Sequence, residues 1–144
     1  MDHNILPSPH PNPWINTLHG YTTMAVDALA CRGLRVHRSW LDPADPRDAT
    51  ILFEGGAARG EAGLRALVWD EVTGWRSGVF VSGKPGVRTV LTDVAHLGGG
   101  LVPGAGEVAW RAAAGVTVPA SAYRSFRDGH DGLEDVLRAQ HQLI

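Results

Sequence analysis

Residues 64–75, Leu-Arg-Ala-Leu-Val-Trp-Asp-Glu-Val-Thr-Gly-Trp, and residues 77–82, Ser-Gly-Val-Phe-Val-Ser, decide the fold of this chain. Both segments are rich in apolar and β-branched residues, and an acidic turn containing glycine separates them. Gly74 suits the left-handed position of a three- to five-residue hairpin loop. The pattern therefore predicts two antiparallel strands joined by a short turn.

Segments on both sides of this hairpin extend it into a larger sheet. Residues 34–41 and 50–54 have the composition of strands, and residues 87–94 follow a Lys-Pro-Gly turn as a further strand. Because no helical pattern separates these strands, the sequence predicts an antiparallel meander of about five strands.

Helical periodicity is confined to the two ends of the chain. Residues 14–32 place apolar side chains three and four positions apart, although Gly20 weakens the middle by roughly 1 kcal/mol, so the helix begins late or bends there. A second helix opens at Pro103 and ends at Gly115, and a third lies within residues 132–143. Helices collected at the ends must cover one face of the meander, which predicts an α+β domain of two layers.

The length of 144 residues predicts one domain, which spans residues 14–144. Residues 1–13 contain four prolines and two histidines. Alternating prolines forbid a helix and favour extended backbone, so this segment is predicted to be a Pro/His-rich arm that is flexible or docked.

Composition argues against several classes of function. The 13 Lys and Arg residues are fewer than the 15 Asp and Glu residues, and a net charge of −2 disfavours a nucleic-acid surface. One cysteine allows no disulfide within the chain. No apolar run approaches the ~20 residues that span a bilayer, and the N-terminus lacks a secretory signal, so we expect a cytoplasmic protein without membrane contact.

Cofactor motifs are also missing from the sequence. Residues 98–100 are three glycines before a helix, but no Gly-Lys-Ser/Thr sequence follows them, and no dinucleotide fingerprint is present. No clustered metal-ligand pattern stands out either. We therefore expect no cofactor and no metal.

Two motifs in order carry a resemblance to a known family. Residues 67–71, Leu-Val-Trp-Asp-Glu, precede Gly74-Trp75, and residues 97–103, Leu-Gly-Gly-Gly-Leu-Val-Pro, lead into Val108 and Trp110. Over roughly residues 14–115 the chain resembles the actinobacterial domain-of-unknown-function family 6292. The resemblance implies a small cytoplasmic domain and supplies no catalytic residues to transfer.

Side-chain alternation in the central strand suggests a binding surface. Its small apolar residues are expected to face the helices, which places Trp69 and Arg65 on the other face. An uncovered face bearing tryptophans needs a ligand or a partner. The predicted ligand-binding residues are Trp40, Arg65, Trp69, Trp75 and Arg76. The structural alternative is that Trp69 and Trp75 are a cross-strand packing pair.

Acid–base chemistry could use His96 or His37 together with Glu54, Asp70 or Asp93 as acid and base. Asp93 and His96 stand near a strand end, where the histidine could act as a general base if the chain turns at Ala95. His37 with Glu54 is the second combination. A capping or structural role is the alternative for His96.

The sequence favours a binding or regulatory domain that engages a small ligand or a protein partner through an aromatic sheet face. The alternative is a cofactor-free enzyme of specialised metabolism, such as a cyclase, an isomerase or a hydrolase, with a His/carboxylate pair in an aromatic pocket. An exposed sheet edge also makes a homodimer an expected form.

Overall fold

The structure is a computed structural model that describes residues 5–42, 46–55, 64–124 and 131–142. Within these residues lie one five-stranded sheet and four helices. The helices are α1 (Pro13–Asn16), α2 (His19–Cys31), α3 (Ala105–Ala114) and α4 (Leu133–Gln142). The strands are β1 (Arg35–Leu41), β2 (Asp48–Glu54), β3 (Arg65–Asp70), β4 (Gly74–Lys84) and β5 (Val87–His96). None of the described helices is long and apolar enough to cross a membrane.

The helices lie where the sequence predicts them, with one interruption. The helix predicted over residues 14–32 is split, because α1 ends at Asn16 and α2 begins at His19, just before Gly20. The helix α3 stops at Gly115, whose φ of 72° is left-handed. Glycine adopts this conformation at little cost, which explains why the helix ends there.

All five strands pair antiparallel in the order β1-β2-β3-β4-β5, which confirms the predicted meander. In the β3–β4 hairpin, Trp69 is the direct cross-strand partner of Trp75. Gly74 has a φ of 75°, and a Cβ atom there would lie 3.1 Å from the carbonyl oxygen of Gly100. Both the conformation and the close approach therefore require glycine at this turn.

One face of the sheet is covered by helices and carries the main hydrophobic core. Leu67 and Trp69 of β3 belong to this core together with Tyr21 of α2, Val108 of α3 and Leu137 of α4. Helices from both ends of the chain thus bury the same face of an antiparallel sheet. The fold is α+β, as predicted.

The opposite face carries a smaller core because the sheet curls over itself. Although β5 is three strands away from β2 in the sheet, Thr89 Oγ1 lies 2.7 Å from Thr50 Oγ1. Strands in a flat sheet at these positions would be about 14 Å apart, so coiling folds the far half of the β4–β5 hairpin over β2. The smaller core consists of Trp40, Leu52 and Ala66, with Phe80 and Leu91 packed against them.

Residues 5–13 of the predicted arm are docked on the domain. The Ser39 hydroxyl donates a hydrogen bond to the carbonyl oxygen of Ile5, and His19 Nε2 lies 2.9 Å from the carbonyl oxygen of Pro7. Pro7 is buried. Flexibility of the arm stays a prediction, and its residues 1–4 lie outside the described part of the chain.

A buried ion network ties the β1–β2 connection to the β3–β4 turn. The side chains of Arg47 and Glu71 are 0% and 1% exposed, with Arg47 Nη2 3.0 Å from Glu71 Oε1. Arg124 Nη1 donates to the same oxygen at 2.7 Å, and Glu134 of α4 accepts from Arg47 at 3.1 Å. The Arg47 guanidinium also lies 3.7 Å from the centroid of the Trp14 ring.

The carboxylate of Glu71 is ionised despite its burial. Burial alone raises the pKa of Glu71, but hydrogen bonds from Arg47 and Arg124 outweigh it and hold the pKa below its ordinary value. The charges of the network therefore stabilise one another, and buried charges need such pairing.

Candidate functional site

A cavity of about 550 Å³ lies between the docked arm, the end of β1 and the turn between β4 and β5. This volume falls in the range of small-molecule sites. The cavity is lined by Leu6 and residues 8–10 of the arm, by residues 38–41 of β1, and by Pro85 of the turn. Three separate parts of the chain thus enclose it.

Arg38 and Trp40 place a positive charge beside an aromatic ring in this cavity. The two residues stand two positions apart on β1, so their side chains share a face of the sheet. The Arg38 guanidinium carbon lies 5.6 Å from the centroid of the Trp40 ring, a cation–π distance. Arg38 is exposed, and no ion pair in the described part of the chain neutralises it. The cavity therefore has a cationic rim.

His10 adds a hydrogen-bond donor on the arm side of the cavity. Its backbone N–H donates to Asn16 Oδ1 at 2.8 Å, which ties this part of the arm to α1. Its Nδ1 accepts the backbone N–H of Asn12 at 3.0 Å. Because Nδ1 is an acceptor, the ring proton of the neutral imidazole lies on Nε2.

Two buried carboxyl groups, Asp42 and Asp48, lie next to Trp40 and interact with each other. Asp42 Oδ1 accepts the indole N–H of Trp40 at 2.7 Å, and Asp42 Oδ2 accepts the Thr50 hydroxyl at 2.8 Å. Asp48 Oδ2 accepts from Arg88 Nη1 at 2.6 Å. Asp48 Oδ1 is buried and receives a hydrogen bond from none of the described N–H or O–H donors.

Burial and mutual repulsion favour one shared proton on the carboxyl pair at neutral pH. Burial and the negative charge of Asp42 raise the pKa of Asp48 to about 8, and burial also raises the pKa of Asp42. Both oxygens of Asp42 already accept hydrogen bonds, whereas Asp48 Oδ1 accepts none. A proton on Asp48 Oδ1 can be donated to Asp42, which satisfies the buried oxygen. We therefore place the proton there.

The tryptophans predicted to form an uncovered wall are buried beneath the helices. Trp69 and Trp75 are each 1% exposed. The indole N–H of Trp69 donates to the Leu101 carbonyl oxygen at 2.7 Å, and that of Trp75 donates to Tyr21 Oη at 3.0 Å. The predicted orientation of β3 is wrong, because Trp69 belongs to the helix-covered core and Ala66 to the core of the opposite face. The alternative, a cross-strand packing pair, is confirmed.

The other predicted ligand-binding residues divide between the cavity and the hairpin. Trp40 lines the cavity. Arg76 Nη1 instead donates to Asp70 Oδ2 at 2.6 Å within the β3–β4 hairpin, and Arg65 is half-buried at the start of β3. Of the five predicted ligand-binding residues, Trp40 alone is among the residues that line this cavity.

The predicted acid–base residues form two groups at opposite edges of the sheet. His37 Nε2 of the edge strand β1 lies 3.4 Å from Glu54 Oε2 of the neighbouring strand β2, with side chains 35% and 48% exposed. His96 ends β5, which is the opposite edge strand. The structure thus joins His37 to Glu54 but separates this pair from His96.

Asp93 and His96 are not arranged as the predicted dyad. Asp93 has a φ of 53° at an irregularity in β5, and the strand then continues through Ala95 instead of turning there. Among the described hydrogen bonds and ion pairs, none joins Asp93 to His96. The half-buried His96 has a buried Nδ1 without a partner in the described chain.

Sequence reasoning missed Arg38, His10 and the carboxyl pair as members of this site. The spacing of Arg38 and Trp40 is a usable signal, since residues two apart on a strand share a face. Asp42 and Asp48 flank a segment rich in proline and aspartate, which has the composition of a solvated turn. Their burial results from the curl of the sheet, which has no local signature.

Two further cavities flank α4. One of about 450 Å³ lies between α1, α2 and α4, and one of about 380 Å³ lies beside residues 99–102. In the smaller cavity, Arg124 and Asp131 are paired with each other, and Arg124 is also paired with Glu71. Their charges are therefore neutralised by partners within the domain, whereas no described residue forms an ion pair with Arg38.

The fold defines a small α+β domain with a coiled antiparallel meander, and the 550 Å³ cavity lies between this meander and the arm. Residues 21–114 match the model of a family of unknown function, DUF6292, and the chain belongs to this family. The match includes Arg38 and Trp40, whereas the arm residues of the cavity lie before it. Comparison with curated proteins and with solved structures yields no match for this chain.

Proposed function

We propose that this protein is a small binding or regulatory domain that accepts a small molecule in the 550 Å³ cavity. The observation that carries the proposal is Arg38, which forms no ion pair with the described residues and lies beside the Trp40 ring at a cavity of about 550 Å³. Apolar walls with a few convergent polar groups are typical of ligand sites. This cavity replaces the flat aromatic face that the sequence suggested.

The docked arm couples ligand binding in the cavity to a second part of the chain. Leu6 and His10 line the cavity from a segment whose described contacts with the sheet include the Ser39–Ile5 hydrogen bond. A molecule bound between the arm and β1 would add contacts to both parts. Occupancy would then be coupled to the position of the arm, and a partner could sense this change.

The first test maps the binding of small fragments by ¹H–¹⁵N correlation spectroscopy. The library contains anionic, neutral and cationic aromatic fragments in equal numbers. We expect hits to shift the amide signals of residues 38–41 and of Leu6, Ser8 and His10 in the arm. The variant Ser8→Trp should remove these shifts, because its indole fills the cavity from an exposed position on the arm.

The matched control is Ser121→Trp, which adds the same side chain at an exposed position outside the cavity lining. It should leave the shifts unchanged. Binding that moves no cavity amide, or equal behaviour of the two tryptophan variants, would reject the proposed function.

A cofactor-free enzyme has weaker support from the geometry. Such an enzyme needs a histidine and a carboxylate that face one substrate within hydrogen-bond reach. The His37–Glu54 pair meets the distance requirement, but neither residue is among those lining the three cavities. We therefore propose binding in preference to a cyclase, isomerase or hydrolase of specialised metabolism.

A homodimer through the edge strand β5 is part of this proposal. Val87, Val90 and Val94 are about half exposed along this edge. An antiparallel alignment of two copies that sets Val90 opposite Val90 also sets Thr89 opposite Leu91 and obeys a two-fold axis, so the segment can pair with its own copy. An edge with unpaired backbone groups is a template for such pairing.

Sedimentation velocity tests this interface. The wild-type chain should sediment as a dimer at micromolar concentrations, and Val90→Lys should sediment as a monomer because it places charges against each other at the centre of the interface. A lysine at exposed Val136 of α4 is the control. A wild-type monomer at high concentration would contradict the proposed dimer without affecting the cavity.

A further inference from the structure

We propose that the molecule held in the cavity is an amphipathic anion, with a carboxylate, sulfonate or phosphate bound by Arg38 and an apolar, flat body against Trp40. This inference rests on the proposed function and specifies its ligand class. It is argued from the donors, the charges and the shape of the lining.

The free polar groups of the cavity are donors. Arg38 offers guanidinium N–H groups, His10 offers Nε2–H, and Ser8 offers a hydroxyl. None of the described residues that line the cavity is an aspartate or a glutamate. The Trp40 indole N–H is already donated to Asp42, so it is not available to a ligand. A ligand group that accepts several hydrogen bonds and carries negative charge fits this set of donors.

The position of Arg38 favours an anionic group with two acceptor oxygens. A guanidinium near the face of an aromatic ring keeps its in-plane N–H groups available, because these groups point along the guanidinium plane and away from the ring. Carboxylate and sulfonate oxygens can accept two such N–H groups in parallel. The Trp40 ring thus positions the guanidinium while its N–H groups stay available to a ligand.

The body of the ligand is expected to be apolar. Leu6, Pro9, Leu41 and Pro85 line the cavity together with Trp40. Proline and tryptophan present stiff, flat surfaces that lose little conformational entropy when they contact a ligand. An aromatic or alicyclic body therefore fits the walls better than a strongly hydrated sugar does.

The buried carboxyl pair beside Trp40 does not oppose an anion at neutral pH. With its proton on Asp48, the pair carries one negative charge, which Arg88 balances at 2.6 Å from Asp48 Oδ2. The carboxyl pair therefore does not neutralise the positive charge of Arg38 at the rim. A group that is desolvated next to this charge gains a charge-assisted hydrogen bond.

Two fluorescent probes that differ by one anionic group test the ligand class. The anionic probe is 8-anilinonaphthalene-1-sulfonate, and the neutral probe is N-phenyl-1-naphthylamine, which lacks the sulfonate. Both are titrated into the full chain at low salt. We expect the anionic probe to bind at least about tenfold more tightly, because a charge-assisted hydrogen bond contributes roughly 1.5–3 kcal/mol.

The variant Arg38→Gln should weaken the anionic probe about tenfold or more and leave the neutral probe unchanged. Arg35→Gln is the matched control, since Arg35 is exposed on the same strand and does not line the cavity. It should affect neither probe. Ser8→Trp should weaken both probes, because it removes the space that they share.

The outcomes separate this inference from the proposed function. Equal affinities of the two probes, both abolished by Ser8→Trp, would overturn the anionic ligand class and leave the cavity as the binding site. Equal loss of the anionic probe in Arg38→Gln and Arg35→Gln would also overturn it, because that result reports only net charge. If neither probe responds to Ser8→Trp, the proposed function itself fails.

Discussion

Replacement of Glu71 by alanine is expected to lower the free energy of unfolding by about 3–5 kcal/mol, the usual cost of removing one partner from a buried ion pair. Glu71 is the acceptor for both Arg47 and Arg124. Without it, Glu134 is the one described anionic partner that the fully buried guanidinium of Arg47 keeps. The result is a positive charge left in a site that water does not reach.

Urea denaturation followed by far-UV circular dichroism measures this effect. The control is Glu107→Ala, which removes an exposed ion pair with Arg111 and should cost less than about 0.5 kcal/mol. Should Glu71→Ala fail to fold, Glu71→Gln provides a milder change of similar volume that still removes the charge. A loss below 1 kcal/mol in both Glu71 variants would show that the network contributes little to stability.

Replacement of Asp48 by asparagine is expected to remove a pH dependence of stability between about pH 4 and pH 8. An unfolded aspartate has a pKa near 4, whereas the folded pKa of Asp48 is about 8. Between these values the folded chain binds a proton that the unfolded chain does not. The stabilisation is complete below pH 4 and is lost as the pH rises through 8, with a slope of up to about 1.4 kcal/mol per pH unit.

Asparagine reproduces the protonated form of Asp48 at every pH. Its amide NH₂ group can donate to Asp42 from the position of Oδ1, and its oxygen can accept from Arg88. Asp48→Asn should therefore match the wild type near pH 5 and exceed it by up to about 4 kcal/mol at pH 8.

The measurement is a series of urea denaturations between pH 5 and 9. Asp135→Asn serves as the control, since the Asp135 side chain is 82% exposed and should leave the wild-type slope in place. A wild-type stability that is flat across this range would contradict the shared proton. So would an Asp48→Asn variant that is less stable than the wild type at pH 8.

Secondary structure was largely predictable because its signals are local. The Gly74 turn, the Gly115 helix end and the strand patterns depend on conformational preferences that each residue carries with it. The order of elements then determined the α+β class, since strands without crossover helices must pair antiparallel. These inferences needed no knowledge of contacts between distant parts of the chain.

The direction in which β3 faces could not be read from its residues. One row of the strand includes Leu67 and Trp69, the other Ala66 and Val68, and both rows are buried because the curled sheet has a core on each side. Alternation identifies a polar face only when one face is exposed to water. Because both faces of β3 are buried, its larger residues, Leu67 and Trp69, pack against the thicker layer formed by the helices.

The site was less predictable than the fold for the same reason. Arg38 and Trp40 share a face by spacing, but the cavity exists because the arm and the Pro85 turn meet them from distant positions in the sequence. The proton on Asp48 likewise depends on burial by the curled hairpin. Such features arise from tertiary structure and carry no local pattern.

The ion network around Arg47 also has a consequence for how the chain is made. Its partners span the chain from Trp14 to Glu134, so a nascent polypeptide cannot complete the network until α4 has left the ribosome. Contacts between such distant residues close late, after their loop entropy has been overcome. The guanidinium of Arg47 must stay hydrated until then. We therefore expect water to leave the surroundings of Arg47 in one step, when α4 packs against the domain. Glu134 of α4 is translated some ninety residues after Arg47.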